Sequence, residues 1–119
     1  MKEVTIYKSL QISSSHQLTL PYESKCNRLH GHNFEIEAWV TGSVDEFGMV
    51  VDFHKIKEIA QKLDHQHLND LIEFPTAENI AIHIAKEIWQ LRSNGISQIK
   101  VRVWETKTAY AESELVNSG

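Results

Sequence analysis

Two segments of this chain alternate apolar and polar residues, and each apolar series carries histidine at one end. One series ends at His16 and is interrupted only by Lys8, while the other begins with His30 and His32. Side chains on a strand alternate between its two faces, so each series occupies one face of a strand. If the two strands pair antiparallel, all three histidines meet at one end of a sheet.

These three histidines have the spacing of a metal site. His30 and His32 project from one face about 6.6 to 6.8 Å apart along a strand, and Gly31 is expected to keep the space between their rings clear. Three imidazoles leave a tetrahedral zinc one open position for water or substrate. Any one of these histidines alone fits an ordinary core or surface residue. Together, His16, His30 and His32 predict a zinc site.

The only cysteine, Cys26, lies in a polar stretch four residues before His30. One cysteine forms no internal disulfide, and a cysteine that serves only packing is unexpected among polar neighbours. The cations Lys25 and Arg28 and a nearby metal would lower its pKa. Cys26 is therefore predicted to be a functional thiol, or alternatively a fourth zinc ligand that closes the site and makes it structural.

A carboxylate and an imidazole stand side by side at Asp64 and His65. An aspartate that orients a histidine builds a general base or activates a nucleophile. The competing interpretation is that a histidine near the end of a helix is favoured by the helix dipole alone.

Glu105 continues the odd-numbered apolar series of a predicted strand, after Val101 and Val103. A carboxylate on a buried face needs partners, and it accepts two parallel N–H donors of the kind that a 2-amino-4-oxo-pyrimidine ring offers. Alternatively, Glu105 is a strand-end residue that is exposed or paired with Arg102 or Lys107.

The order of elements predicts an α+β fold in which two helices cover one face of a four-stranded antiparallel sheet. Asp52 and Thr76 are predicted helix N-caps, the helices are expected to end near Asp64 and before Asn94-Gly95, and both Phe53 and Leu91 are assigned to buried faces. In chain order the elements are strand, strand, helix, helix, strand and strand, with strands at about 3–16, 31–42, 96–107 and 109–115.

The length and the net charge of the chain limit the classes of protein to which it can belong. The chain has 119 residues, which we interpret as a single domain over 1–119, and its net charge of -4 argues against nucleic acid as a partner. It has no apolar run of the ~18 residues that a membrane span requires. Because the strand pattern begins directly after Met1, with no signal-peptide segment, a cytoplasmic location is expected.

Several motifs together resemble the 6-pyruvoyltetrahydropterin synthase-like family over essentially the whole chain, and within it the bacterial carboxy-forming enzymes of queuosine biosynthesis. Three residues separate Cys26 from His30, as in those enzymes, whereas pyruvoyl-forming relatives have two more. Serines at 13–15 depart mildly from the small apolar residues usual in the family. The matching motifs are Ser14-Ser15-His16, Cys26-Asn27-Arg28-Leu29-His30-Gly31-His32-Asn33, Val51-Asp52-Phe53, Asp64-His65, Leu68-Asn69, Pro75-Thr76-Ala77-Glu78-Asn79 and Glu105-Thr106.

The resemblance implies a tunnelling fold, in which subunit sheets join into a barrel and form a homohexamer, a dimer of trimers, with active sites between subunits. It implies conversion of 7,8-dihydroneopterin triphosphate to 6-carboxy-5,6,7,8-tetrahydropterin, acetaldehyde and triphosphate. The implied roles are zinc binding by His16, His30 and His32, a catalytic thiol at Cys26, a proton relay at Asp64 and His65, and a pterin anchor at Glu105.

Three other functions remain open at this point. A 6-pyruvoyltetrahydropterin synthase would only eliminate triphosphate from the same substrate. A non-catalytic, zinc-stabilised interaction protein would need only the histidines and Cys26, and would unfold on chelation. A zinc hydrolase would use metal-bound water and would not need the thiol.

Overall fold

The structure is a computed structural model that describes residues 2–117, with the side chain of Cys26 outside the described part. The predicted order of four strands and two helices is confirmed, and single 3-10 turns lie at Lys25–Asn27 and Leu68–Asp70. The elements are β1 Glu3–His16, β2 His30–Ser43, α1 Phe53–Gln61, α2 Ala77–Trp89, β3 Ile96–Thr106 and β4 Ala109–Val116.

The sheet is an antiparallel meander in the order β1-β2-β3-β4. Strands β1 and β2 pair without a break from Glu3 opposite Ser43 to His16 opposite His30. Ser14 lies opposite His32 in the same ladder. This register brings the histidines of both strands to one end of the sheet, as the alternation predicted.

The helices pack on the face of the sheet that carries the even-numbered residues of β2. Burying one large apolar side chain contributes about 1.5–3 kcal/mol, so this single layer of contacts holds helices and sheet together. The buried side chains of this core include Phe34, Ile36, Val40, Ile80, Ile84, Ile88, Ile99, Val101 and Val103. The core therefore fixes the position of the end of the sheet that carries the histidines.

Both predicted helix caps are present. The Asp52 carboxylate accepts from the backbone N–H of His54 at 2.8 Å, and the Thr76 hydroxyl accepts from the backbone N–H of Asn79 at 3.1 Å. These bonds satisfy N–H groups that have no partner within the helix. They set the starts of α1 and α2.

Two residues assigned to buried helix faces are exposed instead. Phe53 is 48% exposed because it is the first residue of α1, beyond the edge of the core. Leu91 is 38% exposed because α2 ends at Trp89 and the chain turns away there. Helix α1 also ends at Gln61, three residues before the predicted end at Asp64. Among the helices of residues 2–117, none has both the length and the apolar character to cross a membrane.

Candidate metal and active site

Three imidazoles converge where β1 ends and β2 begins. One potential ligand atom from each of His16, His30 and His32 lies within 4.8 Å of the others. The ring centres of His16 and His30 are 4.4 Å apart, and His32 lies 5.9 Å from each. The cluster that the sequence predicted is therefore assembled by strand pairing, and its three nitrogens are close enough to bind one metal ion.

Backbone carbonyls orient all three rings. In each case one ring nitrogen contacts a carbonyl oxygen, and this contact favours the tautomer in which that nitrogen carries the proton. The other ring nitrogen then has a free lone pair and is the one available to a metal. The three contacts are Nδ1 of His16 to Pro75 at 2.8 Å, Nδ1 of His30 to Arg28 at 2.7 Å, and Nε2 of His32 to Glu105.

The environment of His16, the most buried of the three rings, is suited to metal binding. His16 is fully buried, and its Nε2 has no hydrogen-bond partner within the described part of the chain. Burial lowers the pKa of the His16 imidazole, the bond to the Pro75 carbonyl opposes this, and neighbouring His30 and His32 lower it further. Since metals bind the neutral imidazole, an unpaired buried nitrogen held neutral is suited to act as a ligand.

The floor of the cluster is apolar. The ring of Phe34 packs edge-on against His16 at 5.3 Å and lies 4.9 Å from the ring of His32. Because Phe34 is fully buried, water is excluded from this side of the cluster. A metal at this position would therefore be shielded from water on the side of Phe34.

Gly31 does not have the role that the sequence predicted. A Cβ placed at Gly31 would meet no atom within 4 Å, so glycine is not needed to keep the rings of His30 and His32 apart. The reason is the alternation of the strand, which turns the Gly31 position to the face opposite the two rings. Gly31 instead borders an open cleft on that face, together with Ser13 and Asn33.

The predicted Asp64–His65 couple lies against the end of β1. The Asp64 carboxylate accepts from the backbone N–H of Ser13 at 2.8 Å, and the backbone N–H of His65 donates to the Ser13 carbonyl at 2.7 Å. The second carboxylate oxygen of Asp64 lies 3.6 Å from Nε2 of His65. With φ of 55°, His65 adopts an uncommon backbone conformation that projects its side chain outward, where it is 82% exposed.

The cleft that Gly31 borders also reaches His65, and His32 is the one residue of the metal cluster that lines it. Its walls include His32 from the cluster and both His65 and His67 from the segment after α1. The ring of His67 is held by Ser15, whose hydroxyl lies 3.0 Å from Nδ1. No role was predicted for Ser15, whose signals in the sequence are the serine run at 13–15 and the motif Ser14-Ser15-His16.

Glu105 lies beside the cluster and is half-buried, between the buried position that the alternation indicates and the exposed strand end of the alternative interpretation. The cause is an irregularity in the pairing of β3 with β4 between Trp104 and Thr106, which breaks the alternation at Glu105. Its backbone carbonyl contacts His32, and its side chain borders two surface clefts. The alternative partner Arg102 instead binds Glu112, with both nitrogen–oxygen distances at 2.9 Å.

The predicted thiol falls outside the described part, because the structure does not describe the Cys26 side chain. The loop that carries it is organised by the carboxamide of Asn27. That carboxamide accepts from the backbone N–H of Leu20 at 2.8 Å and donates to the Tyr22 carbonyl at 3.0 Å. The loop joins the end of β1 to the start of β2, so Cys26 lies between His16 and His30 in the chain.

Comparisons with known proteins find relatives that match most of this chain. A protein from Archaeoglobus fulgidus, called a putative 6-carboxy-5,6,7,8-tetrahydropterin synthase, is 40% identical over 93% of this chain and 96% of its own length. A dihydroneopterin monophosphate aldolase from Pyrococcus furiosus is 31% identical over 88% and 91%. The solved 6-pyruvoyl tetrahydropterin synthase of Caenorhabditis elegans, 27% identical, superposes over 99% of this chain and 98% of its own with a TM-score of 0.69.

The family model of 6-pyruvoyl tetrahydropterin synthase matches residues 5–115. That range contains both helices, nearly all of the four strands and the three converging histidines. The chain therefore belongs to the 6-pyruvoyl tetrahydropterin synthase family.

Proposed function

We propose that this protein is a zinc-dependent lyase that converts 7,8-dihydroneopterin triphosphate to 6-carboxy-5,6,7,8-tetrahydropterin, acetaldehyde and triphosphate. The reaction would serve the biosynthesis of queuosine, a nucleoside with a 7-deazaguanine base, in the cytoplasm. The observation that carries the proposal is the three-histidine cluster with an unpaired, buried Nε2 on His16. The carboxy-forming activity is supported by the name of the Archaeoglobus fulgidus relative and by the three residues that separate Cys26 from His30.

His16, His30 and His32 would hold zinc, which supplies Lewis acidity toward the side-chain hydroxyls of the substrate when bound. Cys26 then moves protons at the carbon next to the pterin ring during triphosphate loss and carbon–carbon cleavage. Asp64 orients and polarises His65, which acts as the partner base. The Glu105 carboxylate accepts the ring N–H and the exocyclic amine of the pterin.

We further propose that the active enzyme is a homohexamer, a dimer of trimers whose sheets join into barrels. The supporting observation is that β1 and β4 are the two edge strands of the sheet, where backbone groups are available to another chain. The exposure of His65 also suits a group that works at a boundary between subunits.

The test is incubation of the zinc-loaded protein with 7,8-dihydroneopterin triphosphate and identification of the pterin product by mass spectrometry. The proposal expects 6-carboxy-5,6,7,8-tetrahydropterin and acetaldehyde in equal amounts. A 6-pyruvoyl product would instead indicate triphosphate elimination alone, and an aldol cleavage product would indicate an aldolase. Absence of any pterin product from a zinc-loaded, folded protein would favour the non-catalytic interaction protein.

A further inference from the structure

We propose that Lys25 and Arg28 bind the triphosphate group of the substrate, so that this protein prefers a pterin that carries a polyphosphate. The inference rests on the proposed function, which requires a triphosphate to be bound near the metal, and it names the residues that bind it. Both residues lie in the loop between β1 and β2.

A 3-10 turn places the two cations on one side of this loop. The turn spans Lys25–Asn27, and the backbone N–H of Arg28 donates to the Lys25 carbonyl at 3.1 Å. Because a 3-10 helix has about three residues per turn, side chains three positions apart project in the same direction. Lys25 and Arg28 accordingly line one surface cleft, together with Ser24 and Asn27. Both charges therefore act on a ligand in the same cleft.

Both cations are available to a ligand. Lys25 and Arg28 are exposed, and within residues 2–117 neither forms an ion pair with a carboxylate. Arg102, by contrast, is paired with Glu112 at 2.9 Å. An arginine binds two phosphate oxygens at once through its planar guanidinium, and a lysine adds a point charge. Two unpaired cations on one turn are therefore suited to bind a polyanion.

The backbone of Arg28 links this cleft to the metal cluster. The Arg28 carbonyl contacts Nδ1 of His30 at 2.7 Å, which is the contact that orients this ring. In the proposed substrate the side-chain hydroxyls approach the metal, and the triphosphate is attached to the next carbon of the same side chain. The triphosphate therefore lies close to residues that contact a metal ligand. Lys25, Arg28 and His30 belong to one short segment of a single chain, so the site forms whichever subunit supplies the other groups.

The charge of the whole chain makes local cations necessary for this role. With a net charge of -4, the protein as a whole repels a polyanion. The imidazoles of His65 and His67 line another cleft beside Gly31, but histidine loses its positive charge near neutral pH. Lysine and arginine keep theirs. Lys25 and Arg28 therefore supply the permanent positive charge that a triphosphate needs.

The experiment compares two oxidised pterins that are not substrates of the proposed reaction, neopterin triphosphate and neopterin. Fluorescence titration of the zinc-loaded, full-length protein gives a Kd for each. The ratio of the neopterin Kd to the neopterin triphosphate Kd measures the preference for the triphosphate, because the pterin ring is the same in both ligands. Lys25→Ala and Arg28→Ala should each lower this preference about three- to tenfold, as expected for losing one charged contact with a polyanion at an exposed site. The affinity for neopterin should stay unchanged.

The matched control is Lys57→Ala, which removes an exposed lysine of α1 and should leave the preference unchanged. Glu23 lines the same cleft as the two cations, so Glu23→Gln removes a repulsive charge and should strengthen triphosphate binding about two- to threefold. Arg28→Lys keeps the charge and loses the bidentate geometry, so its preference should lie between those of Arg28→Ala and the unmodified protein.

Zinc content, measured after each titration, should be the same in all variants. The Arg28 carbonyl contacts His30, and the substitutions keep that carbonyl. Truncating an exposed side chain also leaves no cavity in the core, so the variants should fold. In an active enzyme, Lys25→Ala and Arg28→Ala should raise the KM for 7,8-dihydroneopterin triphosphate about three- to tenfold, because they weaken substrate binding.

An unchanged preference in both alanine variants overturns the inference, as does an equal loss in Lys57→Ala, which would indicate a general effect of net charge. An unmodified protein that does not bind neopterin triphosphate more tightly than neopterin also overturns it. If the unmodified protein forms the expected product in these cases, the proposed function stands without this site. If no pterin product forms but the preference depends on Lys25 and Arg28, the proposed function fails and the triphosphate site remains.

Discussion

His16 and Pro75, 59 residues apart, are joined by a hydrogen bond in which Nδ1 of the buried imidazole donates to the proline carbonyl at 2.8 Å. Pro75 directly precedes Thr76, the N-cap of α2, so this bond connects the end of β1 to the start of a helix. It leaves Nε2 of His16 buried and without a partner in the described structure. The same contact thus fixes the orientation of the ring and leaves the lone pair of Nε2 available to a metal.

We predict that His16→Ala greatly lowers the zinc content of the purified protein, because it removes one of three ligands. Elemental analysis should show about one zinc per chain in the unmodified protein, as expected for a three-histidine site. His54→Ala is the control, since His54 is exposed on α1 and lies 3.4 Å from Glu58. Equal zinc content in the two variants would show that the metal is bound elsewhere.

We predict that Cys26→Ala abolishes turnover and leaves zinc content and oligomeric state unchanged. A thiol that moves protons stabilises the transition state and contributes little to the fold. Turnover is measured by pterin product formation and zinc by elemental analysis. Full activity would support metal-bound water as the working group, and loss of zinc would identify Cys26 as a fourth ligand of a structural site.

We predict that Glu105→Gln weakens pterin binding at least about tenfold while zinc remains bound. The substitution places an amide donor against a pterin N–H donor, which leaves polar groups unpaired at a cost of about 1–3 kcal/mol. Zinc should remain because His32 contacts the backbone carbonyl of Glu105, which the substitution keeps. Glu114→Gln at an exposed position of β4 is the control in a calorimetric titration. Unchanged affinity would remove Glu105 as the ring anchor.

We predict that Glu37→Gln destabilises the protein by about 1 kcal/mol at neutral pH and much less in acid. Burial raises the pKa of Glu37, but hydrogen bonds from Tyr7 and Trp104 and the charge of Arg102 outweigh it and hold the pKa below its ordinary value. The stability gained from the ionised carboxylate is therefore present above the unfolded-state pKa of about 4.3 and is lost as the pH falls through the lower folded-state value. Urea unfolding at several pH values measures the difference in stability between Glu37→Gln and the unmodified protein. A difference that does not become smaller in acid contradicts the prediction.

We predict opposite outcomes for alanine at two glycines of β2. Gly31→Ala should leave stability and zinc content unchanged, since its Cβ would lie in open space. Gly42→Ala should destabilise by about 1–3 kcal/mol, because its Cβ would overlap the backbone carbonyl of Gly95. The melting temperatures of the two variants are compared by thermal unfolding. Similar melting temperatures would contradict the prediction and would show that the backbone at Gly42 can move away from Gly95.

The pattern of residues predicted most of the fold for local reasons. Alternation in β1 and β2 is a property of neighbouring residues, and so are the caps at Asp52 and Thr76, whose side chains bond to N–H groups a few residues ahead. The convergence of His16 with His30 and His32 also followed, because an antiparallel pair needs only the parity of each strand to place all three on one face.

At Glu105 strand pairing overrides the local pattern, and at Gly31 the prediction was wrong because the alternation of β2 turns that residue away from the two rings. Glu105 follows the alternation of β3, yet an irregularity in its pairing with β4 leaves it half-buried. Gly31 stands between two ligands, yet its open side faces away from them. The functions of Cys26, Asp64, His65 and Glu105 remain predictions.

By itself, the sequence determined which side chains are candidates for the chemistry, which face of each strand they occupy and where the helices begin, since all of these depend on side-chain type and spacing. Only the tertiary structure decided that His16 lies opposite His30, that the Pro75 carbonyl orients His16, and that the Asn69 side chain hydrogen-bonds to the backbone of Gln17. The physical reason is that backbone carbonyls and N–H groups are the same at almost every residue. Which of them meets a given side chain depends on how the whole chain packs.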